Sequence, residues 1–176
     1  MYTRIGSDPT GNDVVVDTSV EEGRIALLSS VGGGKTTTCR FVARCWAAQE
    51  SEHCVVLTPR VHEYADLHRD NVHILSNLDH DQEAWAAADL LIVDEAELID
   101  RDMLDYVLQS MVNTAIVASY GPAVERTRAA FTDVLALHWN PRQDEPVQGR
   151  LDWPGAIDVF LDKRERGDYP QHRWAV

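Results

Sequence analysis

Short apolar runs alternate with polar stretches of helical length along most of the chain. The runs are Val14-Val15-Val16, Ile25-Ala26-Leu27-Leu28, Cys54-Val55-Val56-Leu57, Val72-His73-Ile74-Leu75, Leu90-Leu91-Ile92-Val93, Ala115-Ile116-Val117-Ala118 and Val134-Leu135-Ala136-Leu137. Several are apolar throughout rather than alternating, the pattern of a strand buried on both faces. Between them the spacing predicts a helix over 36–49, with Phe41, Val42, Cys45 and Trp46 on its packed face. It also predicts a helical stretch over 61–69, a short helix over 79–87 and a helix over about 123–131. A further helix over 99–111 is amphipathic through Met103, Leu104, Val107, Leu108 and Met111. Strand, helix, strand in series is the pattern of right-handed βαβ units, so the expected fold class is α/β, three layers in α/β/α order about a mostly parallel central sheet.

The flanks read differently. Residues 7–12 are rich in turn formers, and 13–17 read as a short edge strand or extended arm. Beyond Asn140 a polar loop covers 141–149, and Trp153-Pro154-Gly155 leads into a short helix expected over 156–166 that ends at Gly167. The expected organisation is an N-terminal arm and edge strand over 1–22, a core over 23–140, and a C-terminal extension over 141–176. That extension, whose tail carries Trp174, either packs back on the core or meets another subunit.

Chemistry concentrates where two of the apolar runs end. The strand at 25–28 enters Ser29-Ser30-Val31-Gly32-Gly33-Gly34-Lys35-Thr36-Thr37 at the mouth of a helix. Three glycines let successive N–H groups turn inward toward a polyphosphate, a lysine reaches the β- and γ-phosphates, and the Thr36 hydroxyl is placed to coordinate Mg²⁺. The consensus begins with glycine and this chain has Ser29, small enough for the turn. The bland alternative is a flexible glycine linker before an ordinary helix. A second run ends in Asp94-Glu95, two carboxylates at the end of a buried strand, Asp94 for the Mg²⁺ shell and Glu95 to orient and deprotonate a water. An acidic helix start would also account for Glu95-Ala96-Glu97, though less well for Asp94. The two motifs in this order predict a P-loop nucleotide-binding domain that uses ATP and Mg²⁺.

Composition narrows the surroundings. At 176 residues and 44% apolar, the chain suits one domain with a sizeable core. No stretch reads as a signal peptide or a membrane span, which predicts a cytoplasmic protein without direct membrane insertion. Cys39, Cys45 and Cys54 lack metal-ligand spacing and read as reduced core thiols. Sixteen basic residues face 29 acidic ones, a net charge of −13, and only Lys35 and Lys163 are lysines. This balance resembles proteins of salt-in halophiles and points to a haloarchaeon, its viruses or its plasmids; an ordinary acidic enzyme is the alternative. It argues against a broad basic face for nucleic acid but leaves room for a few arginines lining a pore.

The order of phosphate loop, further strand, Asp-Glu strand, then a strand ending at Ser119-Tyr120-Gly121-Pro122 resembles P-loop ATPases with a catalytic glutamate and an inserted strand. Within them, residues 114–137 are most similar to the FtsK–HerA group, which includes viral genome-packaging ATPases and conjugative pumps. The resemblance covers about 23–138. It implies an ATP-driven motor acting on double-stranded DNA in viral genome packaging, a homo-oligomeric ring, and capsid vertex proteins as partners, hence a virion-associated location besides the cytoplasm. It also implies that a neighbour supplies an arginine finger, with Arg126 and Arg128 as candidates and Arg101 behind them; each is otherwise a solvated or ion-paired helix arginine. The group usually has glutamine where this chain has Tyr120, so Ser119 is the alternative sensor of the γ-phosphate. A nucleotide-dependent switch with little turnover and a small-molecule kinase are the competing functions. GTPases of the signal-recognition type share Gly34-Lys35-Thr36-Thr37-Thr38, but neither lysine sits in a guanine-reading motif.

Overall fold

The computed structural model describes residues 2–18, 22–48, 53–76, 85, 88–109, 113–139 and 154–161. Among the described residues, nine strands form one sheet: β1 (Tyr2–Ser7), β2 (Asp13–Asp17), β3 (Gly23–Leu28), β4 (Cys54–Leu57), β5 (Val72–Leu75), β6 (Leu90–Val93), β7 (Thr114–Ser119), β8 (Asp133–Trp139) and β9 (Ile157–Leu161). Their spatial order is β2-β1-β9-β8-β3-β7-β6-β4-β5. From β9 to β5 every neighbouring pair is parallel, while β1 runs antiparallel to both β9 and β2. The mostly parallel sheet expected from the alternation of runs and helices is present. β7 stands between β3 and β6, so the strand feeding the glycine loop and the strand ending in Asp94-Glu95 are separated by one inserted strand.

Period-two alternation divides the strand side chains between two cores. Ile25, Leu27, Val56, Ile92 and Ile116 face α1 (Lys35–Ala47), which covers them with Cys39, Val42, Ala43 and Trp46. Ala26, Leu28, Val55, Leu91 and Val117 face the other way, toward Met103, Leu104, Val107 and Leu108 of α2 (Arg101–Gln109). Helix, sheet and helix thus make three layers. The buried face of α1 is turned from the expected one: Phe41 and Cys45 are only half-buried, while Thr38, Cys39 and Ala43 are inside.

Other expectations change in detail. The stretch after β4 is a 3-10 helix, Val61–Leu67, ended by extended backbone at His68. The helix predicted over 123–131 is a short α3 (Pro122–Arg126) followed by a 3-10 turn, Arg128–Ala130. Of the helix predicted over 79–87, Trp85 is helical and fully buried against the α2-side core, and 79–84 and 86–87 lie outside the described residues. So do the loop at 141–149 and the tail with Trp174. Cys39, Cys45 and Cys54 are not in disulfides, and Cys39 and Cys54 are fully buried.

The helix predicted over 156–166 is corrected where it is described: Ile157–Leu161 is a strand, β9, between β8 and β1, and 162–166 lie outside the described residues. Val159 and Leu161 go into the α1-side core while Asp158 turns to the other face and meets His138 at 2.8 Å. Two-residue alternation and two β-branched residues outweigh helical propensity once β8 offers an open edge. β1, for which the sequence raised no expectation, pairs beside it with Ser7 opposite Phe160, and at Gly6 a β-carbon would lie 2.4 Å from the Phe160 carbonyl oxygen. Gly6→Ala should therefore force the β1–β9 pair apart and cost about 1–3 kcal/mol, read as a lower urea midpoint with faster amide exchange in β1 and β9. An unchanged midpoint would mean that this close approach is not maintained.

Candidate active site

The ends of β3, β6 and β7 come together because the parallel register carries all three to one edge of the sheet. From Leu28 the chain turns through Ser29 to Gly34, with Gly32 (φ 74°) and Gly34 (φ 96°) in left-handed backbone that a side chain disfavours. Gly34 directly precedes α1, whose first residues are Lys35, Thr36 and Thr37. Ser30, Val31 and Gly32 are exposed at the loop tip, whereas Ser29 and Lys35 are buried.

The Lys35 ammonium donates to the Ser29 carbonyl (2.9 Å), the Ser29 hydroxyl (3.2 Å) and the Ser30 carbonyl (3.1 Å). Its open side is covered by the Tyr120 ring, 4.0 Å from Nζ to centroid. Burial pushes the Lys35 pKa down, opposed by the negative charges of Glu97, Asp94 and Glu95. Those carboxylates belong to the other half of the site. Asp94 follows β6, its N–H bonded to Leu57 O at 2.9 Å, and its side chain is fully buried. Tyr64 donates its hydroxyl to Asp94 Oδ2 at 2.9 Å, and Oδ1 has no well-formed hydrogen bond, although Thr36 lies near enough to lower the pKa of the acid. Burial dominates, and Asp94 is pushed up from 3.8 to about 6.

Glu95 takes left-handed backbone (φ 59°, ψ 54°), ending the strand sharply before the 3-10 turn Ala96–Leu98. For a residue with a β-carbon this costs about 1 kcal/mol or more, and such strain gathers at functional sites. Its carboxylate is nearly buried: Oε1 meets Arg60 Nη2 at 2.7 Å and Oε2 is unpartnered. Arg60 also reaches Glu63 at 3.2 Å. Both oxygens of Glu97 are likewise buried without a hydrogen bond. An unpartnered Asp94 oxygen beside the Thr36 hydroxyl is a hard-oxygen donor set, which fits Mg²⁺.

The structure thus brings Ser29, Lys35, Thr36, Asp94, Glu95 and Tyr120 to one place. Ser119 is buried one residue earlier, its hydroxyl accepting from the Gly121 N–H at 3.1 Å, so it braces the turn after β7 while Tyr120 faces the lysine. Arg126 is exposed on α3, and Arg128 donates to the Pro154 carbonyl on the turn before β9. Arg101 is exposed at the start of α2, 3.8 Å from Asp105. Sequence reasoning missed Tyr64 and Arg60. Both follow β4, and β4 neighbours β6 only through the strand order; their place just past a strand's C-terminal end was the one available signal.

An acid whose pKa is raised in the folded chain penalises folding when it ionises. For Asp94 that penalty is absent below about pH 4, grows as the pH rises to about 6 and is complete above it. Asp94→Asn should therefore stabilise the metal-free protein at neutral pH by about 2 kcal/mol, seen as a higher melting temperature, with the gain vanishing near pH 4. A lower melting temperature at neutral pH would contradict this account of the buried charge.

Comparisons with known proteins bear on the fold and the family. No curated protein matches the sequence. Among solved structures, EssC (ATPases 2 and 3) from Geobacillus thermodenitrificans aligns with TM-score 0.56 at 15% identity, over 83% of this chain and 37% of that one. The cytoplasmic domain of EssC aligns with TM-score 0.52 at 13% identity, over 86% of this chain and 38% of that one. The chain thus spans little more than a third of either EssC structure. A KaiC-like protein from Pyrococcus horikoshii aligns with TM-score 0.51 at 15% identity, over 82% and 84% of the two chains. At such identities these likenesses establish the fold. A family model described as AAA domain matches residues 13–122, from β2 through the turn after β7. With the glycine loop, the Asp-Glu strand and the inserted strand all inside that match, the chain belongs to the AAA domain family of P-loop ATPases.

Proposed function

We propose that this chain hydrolyses ATP with Mg²⁺ and uses the cycle to move double-stranded DNA as a subunit of a homo-oligomeric ring, in viral genome packaging. The observation that carries the hydrolytic reading is the opposition of the Lys35 ammonium to Asp94 and Glu95 at one sheet edge. The motor reading rests on the FtsK–HerA resemblance of 114–137 and on that sheet order.

In this reading the amides at 32–36 and the Lys35 ammonium bind the triphosphate, and Thr36 and Asp94 hold Mg²⁺. The metal ion, when bound, neutralises charge on the phosphate oxygens. Glu95 orients a water whose oxygen bonds to the γ-phosphorus as the bond to the β,γ-bridging oxygen breaks. ADP and phosphate leave, and the proton of the water passes to the Glu95 carboxylate before reaching solvent or phosphate. Tyr64 keeps Asp94 aimed while Oδ1 stays available. Arg126 and Arg128 are proposed for the neighbour's site, Arg128 after giving up the Pro154 carbonyl.

One observation favours a second reading, a nucleotide-dependent switch with slow turnover. Glu95 is paired with Arg60 at 2.7 Å, and a carboxylate so held has one oxygen fewer for water. Single-turnover hydrolysis at molar KCl, with and without duplex DNA, separates the two readings: a motor accelerates on DNA, a switch stays slow. Glu95→Gln should lower turnover about 100-fold or more with nucleotide affinity retained, and normal hydrolysis in that variant would remove Glu95 as the base. Arg60→Ala should raise the rate measured without DNA several-fold; a fall would mean that Arg60 assists the reaction instead of restraining its base.

A further inference from the structure

Two residues that depart from the resembled pattern, Ser29 in place of glycine and Tyr120 in place of glutamine, meet at a single atom, Nζ of Lys35. An ammonium group has three N–H donors. Here the Ser29 carbonyl, the Ser29 hydroxyl and the Ser30 carbonyl accept from it, and the negative face of the Tyr120 ring closes the remaining approach.

Each part of this cage is built into the fold. The Ser29 hydroxyl is fixed by donating to the Ser30 carbonyl at 3.0 Å, which leaves its lone pairs for the lysine. It fills the space beside Gly33, where any β-carbon would come within 2.5 Å of it, so the glycine at 33 and the serine at 29 are matched in shape. Tyr120 belongs to neither hydrophobic core and stands just past β7 with its ring on the ammonium. The two contacts come from separate strands, β3 and β7, whose ends are tied by the Ser29 N–H to the Ser119 carbonyl.

We propose that Ser29 and Tyr120 are positioning residues forming a latch that holds Lys35 on its own loop, so that a triphosphate must open the latch to be gripped and binds more weakly for it. This inference rests on the ATP-binding reading of the site. Oxygens of the β- and γ-phosphates compete with the three loop acceptors for the same donors, and the ring adds to what they must overcome. Both substitutions therefore lower affinity for nucleotide in exchange for a lysine kept ordered and shielded from water.

The test is the affinity of the full chain for AMP-PNP by calorimetry, with the folded state of each variant checked by circular dichroism. Ser29→Ala and Tyr120→Leu should each tighten binding about three- to tenfold, the double variant should tighten it by less than the product of the two, and Tyr120→Phe, which keeps the ring, should restore the wild-type value. A spectroscopic readout is independent of affinity. With two lysines in the chain, Lys35 and Lys163, selective labelling gives assignable lysine signals. The ring current of Tyr120 should shift the Lys35 side-chain protons upfield, and saturating AMP-PNP or Tyr120→Leu should abolish that shift. Binding that is lost in Lys35→Ala but unchanged or weakened in Ser29→Ala and Tyr120→Leu overturns the latch alone. A wild-type chain that does not bind AMP-PNP overturns the ATP reading and the latch together.

Discussion

Burial of charge at the edge of a parallel sheet is the constraint on which this structure turns. Lys35 and Asp94 are almost or wholly removed from water, and Glu95 nearly so. A lone buried charge is costly, and each of these is tolerable because the others and a few fixed dipoles lie beside it. Their placement depends on β3, β7 and β6 keeping one parallel register, since a one-residue slip would send each strand's apolar side chains to the wrong layer. Two apolar cores, one under α1 and one under α2, enforce that register from both sides.

The inserted strand has a chemical role as well as a structural one. With β7 between β3 and β6, the strands that carry the glycine loop and the two acids are not direct neighbours, and the residue just past β7 lies over the lysine. That residue is Tyr120, whose phenol is pushed up in pKa by burial and by the charges of Glu95 and Glu97. The site therefore combines an ammonium under an aromatic face with carboxylates and a guanidinium, rather than a single pair.

Much of the core was legible because its strands are short, apolar and bounded, and because the glycine loop and the Asp-Glu pair are local motifs whose chemistry follows from neighbours in sequence. Legibility failed where contacts are made by strand order. Tyr64 supports Asp94 and Arg60 pairs with Glu95 only because β4 lies beside β6, which no local pattern encodes. Residues 157–161 read as a helix from sequence because Pro154 and Gly155 resemble a helix start, and Phe160 obscures an alternation that β8 then selects. β1 escaped notice because Arg4 and Gly6 interrupt its apolar character; Arg4 is paired with Asp13 across the hairpin, and Gly6 is there for a carbonyl to pass. Ser29 looked like a tolerated change at the sequence level, and only the lysine's hydrogen bonds give the hydroxyl a purpose.

The position of β9 carries a consequence for how the chain reaches its native form. β1 precedes the other described strands in the chain, yet its neighbour toward the centre of the sheet comes from residues 157–161. The β1–β2 hairpin must wait, paired only with itself, until nearly all of the intervening chain has been made and β8 has presented an edge. Such sequence-distant closure is slow and leaves an apolar hairpin face, with Ile5 and Val16, uncovered in the interval. Assembly thus proceeds from the nucleotide-binding centre outward, with β1 and β2 docking after the strands that follow them in the chain.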